Sequence, residues 1–527
     1  MKITAFLITL TFVSLTFAQE KYWQQEVSYQ IKAELNDVEH SISGEETITY
    51  KNNSNSKLEF IWFHLWANAY KDETTALMQQ IKNDTTRSKK AETYAPGWME
   101  GLDFKVNGVK VNTEAHSNPQ YIDIVKVVLN SPLEPGQTIS ISTPFKVILP
   151  PYFSRSGYAD GQFMACQWYP KPAVFDKNGW HEFPYLDMGE FYSEYADYNV
   201  ELTVPSDYIV GATGTLLTKA ELDSYKTVGA KNAKKRKKVV LYKPVNANPK
   251  KTLEYTAHLV PDFAWFADKN LVIQYDTVQL PSGKVIDAFS YFHNVKKTIW
   301  SNSIDYVKDG TKNYSSWIGE YEYPVVQVVE GPKNNSSGGM EYPMITLITS
   351  PDAKVETLDA VIVHEVGHNW FMGMLGSNER DHAWMDEGLN TYYQLRYEAN
   401  KYRSCSIFGD AIPAEVKKLS AEEFMKLVYK VIDDALPMEA AMDKTSSEFV
   451  SSDEYGLIVY VKTAYWMSLL EGKYGRAKVD AALKNYFSKW KHKHPQPEDM
   501  QKAFEEVIGK DLTKFFELTA KTGKLTF

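Results

Sequence analysis

Cysteine is almost absent from this chain: its 527 residues contain two, Cys166 and Cys405, 239 positions apart. That excludes a disulfide-dense scaffold, and two free buried thiols are the expectation. Excess positive charge is lacking too. Lys and Arg number 58 against 67 Asp and Glu, a net charge of −9, so nucleic acid is not an expected partner. After the first eighteen residues no apolar run is long enough to span a bilayer. Internal repeats and low-complexity tracts are missing as well. What is present is ordinary globular material, 43% apolar and 24% charged. The length exceeds what one hydrophobic core organises, so two or three domains are expected. An aromatic share of 14%, with 34 Tyr and 13 Trp, suits sheet-rich domains with aromatic-lined clefts.

Residues 1–18 read as a secretory signal. Lys2 supplies the positive start, the run ITAFLITLTFVSLTFA the apolar centre, and Thr16 and Ala18 the small residues before a cut at Gln19. Sixteen helical residues reach about 24 Å, short of a hydrocarbon core of about 30 Å. The expectation is cleavage and export, to a periplasm or out of the cell, with no stable membrane insertion afterwards. No cysteine lies at the cut, which argues against a lipid anchor.

The first half of the chain has strand periodicity. VSYQIKAEL alternates Val27, Tyr29, Ile31, Ala33 and Leu35, and YNVELTVP alternates Tyr198, Val200, Leu202 and Val204. TISIST, KVVLYKPV and LEYTAHLV add short strands between Gly, Pro and Asn turns, predicting an antiparallel sheet domain. The basic run KKRKK at 234–238 precedes one of them and is expected on a solvated hairpin. Helical patterns dominate after about residue 290, apart from the strands YPVVQVVEG and PMITLIT. SAEEFMKLVYKVIDDA opens with Ser420 and Glu423 in capping-box spacing. A boundary near 272 divides the halves.

HEVGH stands at 364–368. On a helix, positions i and i+4 share a face, so His364 and His368 can direct two imidazoles at one cation. Glu365 lies beside the first of them, placed to reach a water at the metal. Such a water needs help, because its pKa of about 15.7 leaves almost no hydroxide near neutrality, and zinc lowers it to about 7. Eighteen residues after His368, WMDEGLN supplies Glu387. Gly373, Gly376 and Ser377 break the first helix, and a second helix from about Trp384 is expected to bring Glu387 back. Two His and one Glu leave a fourth position open, the pattern of a catalytic zinc site with one ion per chain. His382 is expected to be a loop residue, and His492 and His494 in KHKH a solvated turn. Upstream, GGMEYP at 338–343 reads by itself either as a turn with a solvated carboxylate or as a site for Glu341.

HEVGH, eighteen residues, then DEG resembles the gluzincin aminopeptidases of peptidase family M1, the aminopeptidase N and leukotriene hydrolase group. GGMEY resembles that family's G-x-M-E-N exopeptidase motif. YGLIVYVKTAYWM resembles its catalytic-tyrosine segment, with Tyr460, Lys462 and Ala464 matching and Tyr455 where some members have a second tyrosine. The resemblance implies an α+β multidomain protein. Residues 19–272 would be the antiparallel β-rich domain and 273–527 a mainly helical, thermolysin-like catalytic domain, with no C-terminal helical domain evident. It implies hydrolysis of the N-terminal peptide bond of peptides with a free N-terminus. His364, His368 and Glu387 would hold zinc, Glu365 would be the general base, and Tyr460 would stabilise the oxyanion. Glu341 would pair with the substrate ammonium, with Tyr455 also at the substrate. Gly338 and Gly339 would let the backbone bond an extended substrate. An N-domain glutamine, Gln162 or Gln167, would join the amine site. Three positions depart from the pattern: Tyr342 for Asn, Asn369 for Gln and Asp386 for Asn. The same resemblance admits an epoxide hydrolase, an endopeptidase or a non-catalytic scaffold. Glu341 argues against the endopeptidase, and the intact ligand set and base argue against the scaffold.

Overall fold

The computed structural model describes residues 22–234, 239–295, 298–333, 338–350, 354–409 and 412–527. The signal sequence at 1–18 and positions 235–238 of the basic run lie outside these residues. The N-terminal half is built on a large sheet. Five of its strands are β1 (Glu26–Asn36), β2 (Ser41–Lys51), β3 (Thr138–Ile148), β4 (Ala196–Pro205) and β5 (Lys250–Val260), side by side in the order β5–β4–β1–β2–β3. Along β1, Val27, Tyr29, Ile31, Ala33 and Leu35 all point inward, as period-two alternation requires. The expected antiparallel sheet contains one parallel pair, β1 with β4, whose long connection houses much of the domain.

Part of that connection, residues 66–97, packs a small core of its own. It holds α1 (Ala76–Asn83), and Trp66, Tyr70, Leu77, Met78 and Phe153 are buried together there. Thr75 caps α1 by accepting the N–H of Met78.

The hairpin expected at the basic run lies outside the described residues apart from Lys234, which ends a helix, Lys219–Lys234. The strand expected after it fails: KVVLYKPV forms none in its described residues 239–245. The reason is local. The Asn232 side chain accepts from Val240 N at 2.7 Å and donates to Val240 O at 3.0 Å, so this backbone is paired with a side chain instead of a ladder.

A second, mixed sheet carries the C-terminal half. Its strands are β6 (Leu271–Gln279), β7 (Val285–His293), β8 (Val325–Glu330), β9 (Gly339–Met340) and β10 (Ile345–Ile348), in the order β6–β7–β8–β10–β9. All six residues of β8 are buried, the signature of a strand covered on both faces. On the sheet pack α2 (Ser303–Trp317) and α3 (Val355–Gly367); α4 (Glu387–Lys401) packs on α3, and α5 (Ala421–Ala435), which opens with the Ser420–Glu423 capping box, packs on α4. A longer helical stretch runs from Ser452 to Tyr474. Both cysteines are buried and unpaired. Among the described residues no helix is long and apolar enough to cross a membrane.

Candidate active site

The site begins where α3 meets α4. Gly367 allows that approach, and Gly388 lets α4 also seat on the Ser452–Tyr474 stretch. A Cβ on Gly367 would fall 2.1 Å from Asn390 Oδ1 and 2.5 Å from the Tyr314 ring, and one on Gly388 would fall 2.2 Å from Thr463 Cβ. Asn390 then bonds His364 O at 2.8 Å and takes the Tyr314 hydroxyl at 2.7 Å, which locks α4 against α3. α3 ends at Gly367 with His368 as its cap, earlier than the glycines at 373 and 376 suggest. The two His side chains still share one face, and Glu387, the first residue of α4, faces them.

His364 Nε2, His368 Nε2 and Glu387 Oε2 lie 3.1–3.2 Å from one another. Each imidazole Nδ1 has an acceptor opposite it. His364 Nδ1 is 2.7 Å from Gln394 Oε1, whose amide nitrogen donates to Glu398 and Ser406. His368 Nδ1 is 2.7 Å from Asp386 Oδ1. With the Nδ1 protons so placed, both Nε2 atoms present lone pairs to each other and to a carboxylate oxygen, a repulsive triangle unless a cation sits among them. A point about 2.0 Å from all three corners lies just off their plane, which is the length of Zn–N and Zn–O bonds. The residues therefore fit the ion. Burial would raise the Glu387 carboxyl, but His368 and His364 outweigh it and hold it far below the usual range.

The tripod lines a cleft of about 490 Å³. Glu365 also lines it, buried at 6% exposure, and burial pushes its carboxyl up. Edge strand β9 forms one wall. A Cβ on Gly339 would fall 2.6 Å from Glu365 Oε1, so only glycine lets the Glu365 carboxyl and the edge backbone meet there. Gly338 lies at the rim and also lines the cleft. Glu341 follows, 5% exposed, with its carboxylate within 4.8 Å of those of Glu365 and of a His368 ring nitrogen.

A further carboxylate, Glu190, comes from the β-rich half and lines the same cleft. Arg155 pairs with its Oε1, while its Oε2 is buried with no hydrogen-bond partner among the described residues. Burial and then Glu190 push the Glu341 carboxyl well up. Sequence reading missed Glu190. Its signal is a glycine-flanked acid in the loop LDMGEF: Gly189 has φ +78°, and a Cβ there would fall 2.2 Å from Ser446 Oγ.

Tyr455 and Tyr460 reach the cleft together because the helix between them is irregular. Gly456–Lys462 forms a π-helix. Five residues of α-helix turn about 500°, leaving two side chains about 140° apart, and i→i+5 bonding closes that gap. The rings meet edge to face at 6.0 Å. Tyr460 stacks on His364 at 6.0 Å and donates its hydroxyl to Glu387 Oε1 at 2.5 Å.

Several candidates take other places. Gln162 donates to Glu330 O at 2.8 Å inside the fold. Gln167 accepts the Tyr342 hydroxyl at 3.0 Å and donates to Asp262 at 3.3 Å, so neither glutamine offers its amide to the cleft. Tyr342 is turned into the β-rich half, away from the cleft lining. Asn369 braces the turn after Glu341 by accepting Met344 N at 2.8 Å. His382 is tied to Asp443 at 2.6 Å. His494 is no solvated turn residue: it is 5% exposed and bridges Gly376 O and Glu194, joining the two halves. His492 bonds Glu322 at 3.0 Å.

Residues 310–518 match the peptidase family M1 domain. Over that stretch the chain is similar to the M1 peptidases. Among curated proteins, leucine aminopeptidase 2 of Aspergillus fumigatus is 29% identical over 195 residues, covering 35% of this chain and 29% of that protein. The Emericella nidulans leucine aminopeptidase 2 is 29% identical over 230 residues, 41% of this chain and 33% of its own. The chain thus spans about a third of the length of these relatives. A Deinococcus radiodurans M1 zinc metallopeptidase, a mutant bound to a Tyr-Ser-Ala substrate, shares the fold, with a TM-score of 0.63, 16% identity and 95% of each chain covered. Legionella pneumophila aminopeptidase A, in complex with aspartic acid, superposes with a TM-score of 0.65 and 14% identity over 96% of this chain and 50% of its own. The match supports zinc as the cofactor, and His364, His368 and Glu387 form a group that could hold it.

Proposed function

We propose that the protein is a zinc aminopeptidase that releases the first residue of peptides with a free N-terminus. The observation that carries this reading is the pair Glu190 and Glu341 lining the cleft beside the tripod: two buried carboxylates, of which Glu190 meets Arg155 through Oε1 only and keeps a buried Oε2 with no hydrogen-bond partner among the described residues. A substrate α-ammonium supplies the missing donor. Because the Glu341 carboxylate lies within 4.8 Å of the Glu365 carboxylate, there is room for one residue between the anchor and the reacting carbonyl. The likeness to leucine aminopeptidases and to aminopeptidase structures supports the same conclusion.

When bound, zinc polarises the scissile carbonyl and acidifies a water. Glu365 accepts the proton of the attacking water and returns it to the leaving amine, a task suited to a carboxyl raised by burial. The Tyr460 hydroxyl turns from Glu387 Oε1 to the carbonyl oxygen as negative charge develops there. The edge of β9 bonds the extended substrate backbone. Before the described residues, the stretch 1–18 is proposed to direct export.

The test is a panel of aminoacyl amide reporters and short peptides, free and N-acetylated, with and without a chelator. Free substrates should be cut and acetylated ones far more slowly, with activity lost to the chelator. Equal cleavage of blocked and free peptides would remove Glu190 and Glu341 from the role given them. Glu365→Gln should keep its zinc and lose turnover.

A further inference from the structure

Behind His364 runs a relay of three polar side chains. Gln394 follows Glu387 by about two turns of α4 and Glu398 follows by about one more, so the three share a face of that helix. Gln394 and Glu398 are buried, and Ser406, from the segment after α4, meets both and lines the cleft.

A neutral amide opposite Nδ1 does not by itself choose a histidine tautomer. Turned one way, its oxygen accepts the Nδ1 proton, and the Nε2 lone pair is left for a metal. Turned the other way, its nitrogen donates to a bare Nδ1, and the ring proton sits on Nε2 and blocks the ligand. For His368 the choice is made at once, because its partner is the acceptor-only carboxylate of Asp386. The partner of His364 is the amide of Gln394.

The groups beyond Gln394 fix which way that amide is turned. Its Nε2 lies 2.8 Å from Glu398 Oε1 and 2.9 Å from Ser406 Oγ. Ser406 N donates to Glu398 Oε2 at 2.6 Å, and Ser406 Oγ donates to Glu398 Oε1 at 2.8 Å. The one hydroxyl proton of Ser406 is thus spent on the carboxylate, and its oxygen accepts from Gln394. Burial pushes the Glu398 carboxyl up, and the Ser406 and Gln394 donors pull against it. Both neighbours of the Gln394 nitrogen are therefore acceptors, which leaves the amide oxygen for His364.

We propose that Glu398 is a positioning residue: through Gln394 and Ser406 it sets the His364 tautomer and so prepares Nε2 as a zinc ligand. This rests on the zinc aminopeptidase reading and extends it to a residue three steps from the metal. The two histidines are then prepared by different means, His368 by a carboxylate in contact and His364 by a carboxylate one amide away.

The experiment uses the full chain with isotope-labelled histidine and reads tautomers by imidazole nitrogen NMR, with the His364 signal assigned by its loss in His364→Gln. In the metal-free wild type His364 should carry its proton on Nδ1, and a proton on Nε2 would overturn the proposal. Glu398→Gln should reverse the relay. Its amide oxygen stays on Ser406 N, which only donates, and its amide nitrogen then confronts the nitrogen of Gln394. Gln394 turns over and the His364 proton moves to Nε2. Zinc affinity, measured by competition with a chromogenic chelator, should fall roughly tenfold, while His368 keeps its tautomer. Adding Gln394→Glu to Glu398→Gln places the acceptor-only group against His364. It should restore the Nδ1 proton and return zinc affinity to within about threefold of wild type. Unchanged tautomer and affinity in Glu398→Gln, or equal losses in the single and double variants, would overturn the proposal. A wild type that holds the Nδ1 tautomer and binds zinc but cleaves no peptide would overturn the aminopeptidase reading and leave the relay standing.

Discussion

Replacing Asp386 by Asn should weaken zinc binding and stabilise the metal-free protein at the same time. Asp386 is fully buried, and its Oδ1 faces His368 Nδ1 at 2.7 Å. Its Oδ2 has no donor among the described residues, nor has either oxygen of Glu379, which is also fully buried. Carboxylate oxygens of Glu341, Glu379 and Asp386 lie within 4.8 Å of one another, and burial followed by Asp386 pushes the Glu379 carboxyl well up. Asn keeps the acceptor for His368 but makes the bond neutral. A charge-assisted bond is about twice as strong as a neutral one, so about 1 kcal/mol of support for the ligand is lost, and outer-shell losses run to roughly 10-fold or more in metal affinity. The new Nδ2 donates toward Glu379 and removes one buried carboxylate repulsion. Satisfying such a group is worth about 1–3 kcal/mol, or several degrees in the melting temperature of a domain of ordinary size. Zinc affinity is measured by competition with a chromogenic chelator, and stability by calorimetry of the chelated protein. Unchanged zinc affinity, or a lower melting temperature for the metal-free variant, would refute the reasoning.

Glu190→Gln should raise KM for free peptides by roughly 10- to 100-fold and narrow the gap between free and acetylated substrates, since one of two ammonium partners is gone. A steady-state series with both substrate types checks this, and an unchanged gap would count against it. Tyr460→Phe should lower kcat by roughly 10²–10³ with KM within a few-fold and zinc content unchanged, because the hydroxyl acts on developing charge. A variant whose KM rises at constant kcat would show a binding role instead. Asp84 governs acid stability. Burial would raise its carboxyl, but the Ser452 hydroxyl and the N–H groups of Thr86, Ser452 and Arg87 outweigh it and bring it from 3.8 to about 2. A depressed carboxylate stabilises the fold above its ordinary pKa and loses that contribution as pH falls through the folded value. Urea midpoints of wild type and Asp84→Asn should therefore differ by a constant amount above pH 3.8 and converge toward about pH 2.

The zinc ligands were legible in the sequence because helix geometry is local. His364 and His368 are four apart on α3, so periodicity puts two donors on one face, and Glu387 opens the next long helix, which packing through Gly367 and Asn390 brings against them. β1 and β4 were legible for the same kind of reason, from alternation along each strand. The strand expected at KVVLYKPV failed because a side chain from the preceding helix, Asn232, took its backbone groups, and no pattern within the run records that. The pair Gln162 and Gln167 misled for a related reason. A residue type can be read from sequence, but Gln162 spends its amide on Glu330 O and Gln167 lies beneath Tyr342.

What the sequence by itself determined is the metal chemistry: residue types at helical spacing decide what can be held and what base stands beside it. What only the tertiary structure decided is where the rest of the cleft comes from. Glu190 lies 151 positions before Glu341, and Asp84 lies 368 before the Ser452 it clamps. Tyr455 and Tyr460 share a face only because the helix between them is wound as π. Charge neutralisation and close packing act through space with no memory of chain distance, so partners chosen that way leave no period in the sequence to read.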